Sequence, residues 1–65
     1  MVMKMLIALT DTDDMMVLVN PKQVTTILKY NEENFTRIYF VDGEIKCIYV
    51  KEIPDEIYAK LIHNV

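Results

Sequence analysis

Residues 36–52, TRIYFVDGEIKCIYVKE, decide the fold of this 65-residue chain. Two runs rich in β-branched and aromatic residues flank the dipeptide Asp42-Gly43. This arrangement is the strongest short-range signal for a β-hairpin, because a type I′ turn requires positive φ at both central positions. The sequence therefore predicts two antiparallel arms, Phe35–Val41 and Glu44–Val50, joined by a two-residue turn.

The length of this turn determines which side chains share a face of the hairpin. A two-residue loop pairs Val41 with Glu44, and the alternation of side chains along each arm then assigns the remaining residues to faces. One face is predicted to be a mixed polar and aromatic patch turned toward solvent or a partner, with the candidate interaction residues Arg37, Tyr39, Lys46 and Ile48. The opposite face is predicted to lie toward a helix and carries Ile38, Phe40, Ile45, Cys47 and Tyr49.

Two strands are predicted near the start of the chain. Met3–Thr10 contains a continuous apolar run, Leu6–Leu9, which is typical of a strand buried on both faces. Asp11–Asp14 is predicted to turn the chain, because short polar side chains hydrogen-bond the neighbouring backbone there. Met15–Val19 is the second strand.

A proline ends the second strand and a third strand follows it. Proline cannot donate a hydrogen bond to a sheet ladder, so Pro21–Gln23 is predicted to form a tight turn or a single helical turn capped by Asn20. Val24–Tyr30 alternates well enough for a strand. The side chains that this alternation places on one face are Val24, Thr26 and Leu28.

From Pro54 onward the residue pattern is typical of a helix. Proline is tolerated at the first helical position, and the acidic pair Asp55-Glu56 complements the positive end of a helix. Apolar residues recur at helical spacing after it, at Ile57, Leu61 and Val65, with Ile53, Tyr58 and Ile62 alongside. The pattern predicts an amphipathic helix, Pro54–His63, that packs its apolar stripe on one face of the sheet.

These elements predict one small domain that spans residues 1–65. Its class is α+β: an antiparallel β-meander of four to five strands followed by one C-terminal α-helix. A chain of this length is expected to bury only about 60% of the surface that its unfolded form exposes. Yet 52% of its residues are hydrophobic and its mean hydropathy is +0.15. Either the core is unusually dense, or the excess apolar surface is covered by self-association or by a partner.

Charge and hydropathy argue against two classes of function. The net charge is −3, and the seven basic residues are scattered and outnumbered by ten acidic ones. Nucleic-acid binding is therefore not expected, because it requires clustered lysine and arginine. No apolar run approaches the ~20 residues that cross a bilayer, and no cleavage-site pattern follows the apolar start. The sequence predicts a cytoplasmic protein that does not insert into membranes.

The residue types needed for catalysis are sparse. Cys47 and His63 are the only cysteine and the only histidine, and a cysteine in mid-strand is usually structural. Gly43 is the only glycine, so no glycine-rich phosphate loop exists and no cofactor is expected. Asp11, Asp13 and Asp14 resemble the start of a calcium loop, but the required glycine and final acidic ligand do not follow. The sequence predicts a non-enzymatic protein without a metal site.

Five methionines cluster in the first two predicted strands. Met1, Met3 and Met5 alternate, so they are expected to project from one face of the first strand. They indicate either ordinary core filling or a methionine-rich docking strip on an edge open to added strands.

The order of these elements, from a hydrophobic first strand to a closing helix, is also that of a known family. The residues that carry the similarity are Leu9-Thr10, Val19-Asn20-Pro21, Ile27, Thr36–Phe40, Asp42-Gly43, Val50-Lys51-Glu52 and Glu56-Ile57. On these residues the chain, from Met5 onward, resembles the small flagellar FlbD/SwrD-type proteins associated with swarming motility. The resemblance implies no catalytic or metal-binding residues. The chain departs from the family in its first turn, Asp11–Asp14, which lacks glycine, and in its methionine-rich start.

Two functions from different classes are compatible with the sequence. The first is a non-enzymatic protein-interaction module, FlbD/SwrD-like and homo-oligomeric, that acts through protein contacts. The alternative is a small-molecule or nucleotide-binding protein, of the kind that a phage encodes, with its site at a subunit interface. In that case Arg37 and Lys46 would contact an anion and Tyr39 a ring.

Overall fold

A computed structural model describes residues 6–63 of the chain. Within that range it contains five strands, a short 3₁₀ helix over Pro21–Gln23 and one α-helix. The elements are β1 (Ile7–Thr10), β2 (Met16–Val19), β3 (Val24–Leu28), β4 (Thr36–Phe40), β5 (Cys47–Val50) and α1 (Pro54–His63). The strands form two antiparallel sheets, β1-β2 and β3-β4-β5. This confirms the predicted α+β class, with antiparallel strands followed by a C-terminal helix.

Backbone hydrogen bonds join the two sheets between the end of β1 and the end of β5. Asp11 and Val50 form an isolated antiparallel bridge, and the Lys51 amide donates to the Thr10 carbonyl at 2.8 Å. The Thr10 amide in turn donates to both carboxylate oxygens of Glu52, at 2.9 and 3.0 Å. The meander is therefore divided into two sheets that remain connected at one corner.

The core lies between these sheets and the helix. Six apolar side chains are buried, and they come from β1, β2, β4, β5 and α1: Ile7, Leu9, Val19, Ile38, Val50 and Ile57. Thr36 is the buried polar residue among those described, and its hydroxyl donates to the Glu52 carbonyl at 2.6 Å. Every buried side-chain oxygen or nitrogen in residues 6–63 has a hydrogen-bond partner.

The first strand is shorter and more one-sided than predicted. Ile7 and Leu9 are buried, whereas Ala8 between them is exposed. The prediction of burial on both faces is wrong because β1 has a layer of protein on one side only. The predicted segment Met3–Met5, with its alternating methionines, lies outside the described residues.

The two predicted turns around β2 form as expected. Asp11 Oδ1 accepts hydrogen bonds from the Asp13 amide at 2.8 Å and the Met15 amide at 3.0 Å, and Asp14 adopts a positive φ of 64°. After β2, Asn20 Oδ1 accepts from the Lys22 amide at 3.0 Å and caps the 3₁₀ helix. Both turns depend on short polar side chains that bond the local backbone.

Strand β3 contains a bulge that changes its predicted face. Val24 pairs with Phe40, but Thr26 pairs with Tyr39, so Thr25 is an extra residue. Val24 and Ile27 consequently pack against the core, and Thr26 and Leu28 lie on the other face. The prediction that Val24, Thr26 and Leu28 share a face is wrong, because a bulge reverses the alternation.

The central hairpin forms, but the predicted two-residue turn is wrong. The Phe40 amide donates to the Lys46 carbonyl at 2.9 Å, so residues 41–45 form the loop. Arg37 pairs with Tyr49 rather than Ile48, and Tyr39 pairs with Cys47 rather than Lys46. A slip of one residue moves every side chain of the second arm to the other face.

Burial explains why this register is the stable one. It places Ile48 and Val50 on the inner face beside Ile38, and it moves Cys47 and Tyr49 outward. A buried tyrosine requires a hydrogen-bond partner for its hydroxyl, whereas isoleucine and valine do not. A type I′ turn also requires two positive φ angles, and here Gly43 has one (103°) whereas Asp42 does not.

Helix α1 spans the predicted residues. The Ile53 carbonyl accepts from the amides of Glu56 and Ile57, and the Glu56 carboxylate accepts from the Ile53 amide at 3.0 Å. The bond from the Ile53 amide to the Glu56 side chain is one of the two bonds of a capping box. It explains why the helix starts at Pro54. Ile57 is buried and Leu61 packs beside it, whereas Tyr58 and Ile62 are exposed. Val65 lies outside the described residues.

Candidate interaction site

The outer face of the three-stranded sheet carries part of the predicted interaction patch. Arg37 and Tyr39 of β4 lie on it, opposite Tyr49 and Cys47 of β5. Ile48 lies on the inner face instead, where it packs against the core. Lys46 lies at the end of the loop and is exposed. The structure therefore brings together Arg37 and Tyr39 but separates them from Ile48, because the register differs by one residue.

Arg37 is the centre of an ordered cluster on this face. Its guanidinium lies 5.1 Å from the ring centroid of Tyr30, 5.6 Å from that of Phe35 and 5.5 Å from that of Tyr49. The rings of Phe35 and Tyr49 are themselves in contact, with centroids 4.8 Å apart. These distances are within the range of cation–π interaction. The sequence did not predict this cluster, because the expected register placed Tyr49 on the face opposite Arg37 and no pattern connects Arg37 with Tyr30.

A carboxylate completes the Arg37 cluster. Glu33 accepts from Arg37 Nη2 at 2.6 Å and from Arg37 Nε at 3.2 Å, a two-bond arrangement that suits the planar guanidinium. The Glu33 hydrogen bonds raise the pKa of Arg37 further above its already high usual value. Because Glu33 bonds two of the guanidinium nitrogens and the side chain is only 26% exposed, an external anion would have to compete with Glu33 for Arg37.

This arrangement predicts that Arg37 cannot be replaced by lysine without loss. Lysine keeps the charge but has no planar fork and stacks less well on rings. We expect Arg37→Lys to lower the Tm by several degrees and to change the near-ultraviolet circular dichroism of the tyrosines. The control is Lys22→Arg, the reverse exchange at an exposed residue outside the cluster. Equal melting of Arg37→Lys and the wild type would contradict a structural role for this cluster.

A second feature is an open apolar groove of about 600 Å³ between β2 and the β4–β5 loop. We call it the β2 groove and define it by Val17, Leu18, Phe40, Ile45, Ile48, Asp42 and Glu44, which line it together with neighbouring residues. Leu18 is 57% exposed and Ile45 63% exposed. The predicted site residue Ile48 thus contributes to a concave surface, but on the side of the sheet opposite Arg37.

The sequence analysis did not predict the β2 groove. The predicted register turned Ile45 toward the helix, whereas it is exposed in the loop. The groove also combines residues from β2, β4, β5 and the loop between them, which no local pattern connects. The one available signal was the excess of apolar residues over what a small core accommodates.

The potentially reactive residues have ordinary surroundings. Cys47 is half-buried on the outer sheet face, not inward as predicted, and its thiol contacts the Ile48 carbonyl at 3.8 Å. His63 is exposed in the last turn of α1, where a positive charge favours the helix end. In the described part of the chain, no three His, Cys, Asp or Glu side chains are grouped closely enough to hold a metal ion.

The helix found in residues 6–63 is too short and too polar to cross a membrane. A comparison of the chain with protein-family models, curated proteins and solved structures finds no match.

Proposed function

We propose that this chain is a non-enzymatic protein-interaction module that acts as a homo-oligomer. The observation that carries the proposal is the balance of apolar side chains between the core and the surface. Within residues 6–63, eleven large hydrophobic side chains are exposed, whereas six hydrophobic side chains are buried. Exposed apolar surface that is contiguous marks a site of protein contact in a folded protein.

Five of these eleven exposed side chains lie in two places. Leu6, Leu18 and Ile45 line the β2 groove. Tyr58 and Ile62 are one turn apart on α1, so they form an exposed strip beside the buried Ile57. We assign self-association to this helix strip, because two copies of it can pack side by side as helices without loss of any core contact.

The geometry gives the alternative ligand-binding function less support. An anion site would require free cationic groups that converge on a cleft. Arg37 is instead paired with Glu33, and the charged residues that line the β2 groove are the acidic Asp42 and Glu44. A nucleotide phosphate would be repelled there.

Native mass by light scattering across a concentration series tests the proposal. We expect an oligomer in the wild type that Ile62→Lys shifts toward the monomer, because a lysine in the helix strip must be desolvated on association. Ile45→Lys, the same substitution in the β2 groove, is the matched control and should leave the mass unchanged. A monomer at every concentration that binds no hydrophobic dye would overturn the proposal.

The sequence resemblance supports a more specific proposal, that the module belongs with the small flagellar FlbD/SwrD-type proteins and acts in the cytoplasm. This proposal depends on the residues that carry the resemblance and on nothing in the geometry of the groove. Loss of swarming on deletion of the gene from a flagellated host would support it, and normal swarming would count against it.

A further inference from the structure

We propose that the β2 groove binds an extended segment of a partner protein, which adds to the edge of β2 and alternates apolar with basic side chains. This inference rests on the proposed function as an interaction module and names the chemistry of its partner. Three features of the groove carry it: a strand edge, an apolar floor and an acidic rim.

The strand edge is shown by which residues of β2 line the groove. Successive side chains of a strand point to opposite faces, so a groove lined by consecutive residues lies along the edge and not over one face. Val17, Leu18 and Val19 all line the β2 groove. Among residues 6–63, β2 pairs with β1 alone, so its second edge faces the groove. Such an edge presents N–H and C=O groups to an added strand.

The floor of the groove suits alternate side chains of that added strand. Phe40 and Ile48 line it and are half-buried, so they form its least exposed part, whereas Leu18 and Ile45 line it and are exposed. A strand that pairs with β2 directs every second side chain toward this least exposed part. Burial of those side chains removes apolar surface from water and so favours binding.

The charge at the rim of the groove determines which charge the partner segment should carry. The charged residues that line the groove are Asp42 and Glu44, both exposed in the loop between β4 and β5. No lysine or arginine is among the lining residues. The net charge of the chain is −3. A lysine- or arginine-bearing segment is therefore attracted to the groove, whereas an acidic segment is repelled.

The proposal is tested with a short fluorescein-labelled peptide that alternates lysine and valine, by fluorescence anisotropy on the full chain. We expect saturable binding that weakens as salt is added, because the rim charges are exposed. The same peptide with glutamate in place of lysine should not bind. A third peptide, N-methylated at alternate residues on its pairing edge, should also fail, because it cannot complete the β ladder.

Matched variants of the chain locate the binding. The double variant Asp42→Asn with Glu44→Gln should lower the affinity for the lysine peptide about tenfold, which is the summed effect of two exposed charge pairs. Asp13→Asn with Glu32→Gln makes the same change in net charge away from the groove and should leave the affinity unchanged. Ile45→Lys should weaken binding, whereas Ile62→Lys should not.

Any one of three results from the peptide-binding experiments would overturn this inference. The first is that the lysine and glutamate peptides bind equally well. The second is that the two double variants lower the affinity for the lysine peptide equally. The third is that the N-methylated peptide binds as tightly as the unmodified one. A native mass that falls with Ile45→Lys would assign the groove to a second copy, which rejects this partner but retains the interaction module. A failure of the proposed function, by contrast, would appear as a monomer that binds neither dye nor peptide.

Discussion

Replacement of Ile57 by alanine is expected to destabilise this protein more than any other single change considered above. Ile57 is fully buried where α1 meets the core, in one cluster with residues of both sheets. Truncation of a buried isoleucine to alanine costs about 2–5 kcal/mol, because contacts are lost and a cavity remains. The whole stability of a 65-residue chain is of the order of 3–10 kcal/mol, so Ile57→Ala is expected to remove about half of it and to lower the urea midpoint in proportion.

Ile62→Ala is the control for this prediction. It makes the same substitution on the same helix, where the side chain is 47% exposed. The gain in helix propensity on going to alanine is common to both variants and cancels in the comparison. We expect Ile62→Ala to change the free energy of unfolding by less than about 0.5 kcal/mol. Urea unfolding followed by far-ultraviolet circular dichroism measures both, at one low protein concentration at which light scattering gives a monomer, so that self-association through the helix strip does not contribute. Similar midpoints for the two variants would show that α1 is not anchored at Ile57.

The second large effect is expected at Thr36, where the side chain is fully buried but polar. Its hydroxyl donates to the Glu52 carbonyl at 2.6 Å and so connects the start of β4 to the segment between β5 and α1. Thr36→Val keeps the shape and the strand preference but removes the donor. We expect a loss of about 1–3 kcal/mol, because a partly buried carbonyl is left without its partner.

Thr26→Val is the matched control for the Thr36 prediction. Thr26 lies on β3 and is exposed, so the same exchange should alter stability by less than about 0.5 kcal/mol. Both variants are compared with the wild type by urea unfolding. If Thr36→Val is as stable as the wild type, the Glu52 carbonyl is hydrated instead, and its hydrogen bond with the Thr36 hydroxyl does not stabilise the fold.

Elements with a local cause were predicted well. The Asp11 turn, the Asn20 cap and the helix Pro54–His63 all formed where expected, since each depends on side chains within a few residues of the backbone they contact. The class of the fold followed from the same alternation and helical spacing. These features do not change when distant parts of the chain are rearranged.

The candidate site was predicted only in part. Arg37 and Tyr39 share the outer sheet face, as expected, but Ile48 does not, and the Glu33 and Tyr49 contacts of Arg37 were not foreseen. Asp42-Gly43 favours a two-residue turn locally, and that preference outweighed the burial pattern in the sequence analysis. In the folded chain burial decides, because Val50 is held by the bridge to Asp11 and must face the core.

The amino-acid sequence alone determined which segments form the strands, the helix, the Asp11 turn and the Asn20 cap, because short-range hydrogen bonds and side-chain periodicity suffice for that. The tertiary structure decided the hairpin register, the bulge at Thr25 and the existence of the β2 groove. A one-residue slip between strands costs little in local terms, yet it exchanges the buried and exposed faces of a whole arm. That choice is made by the summed burial of residues from both sheets and the helix, which no single stretch of the chain contains.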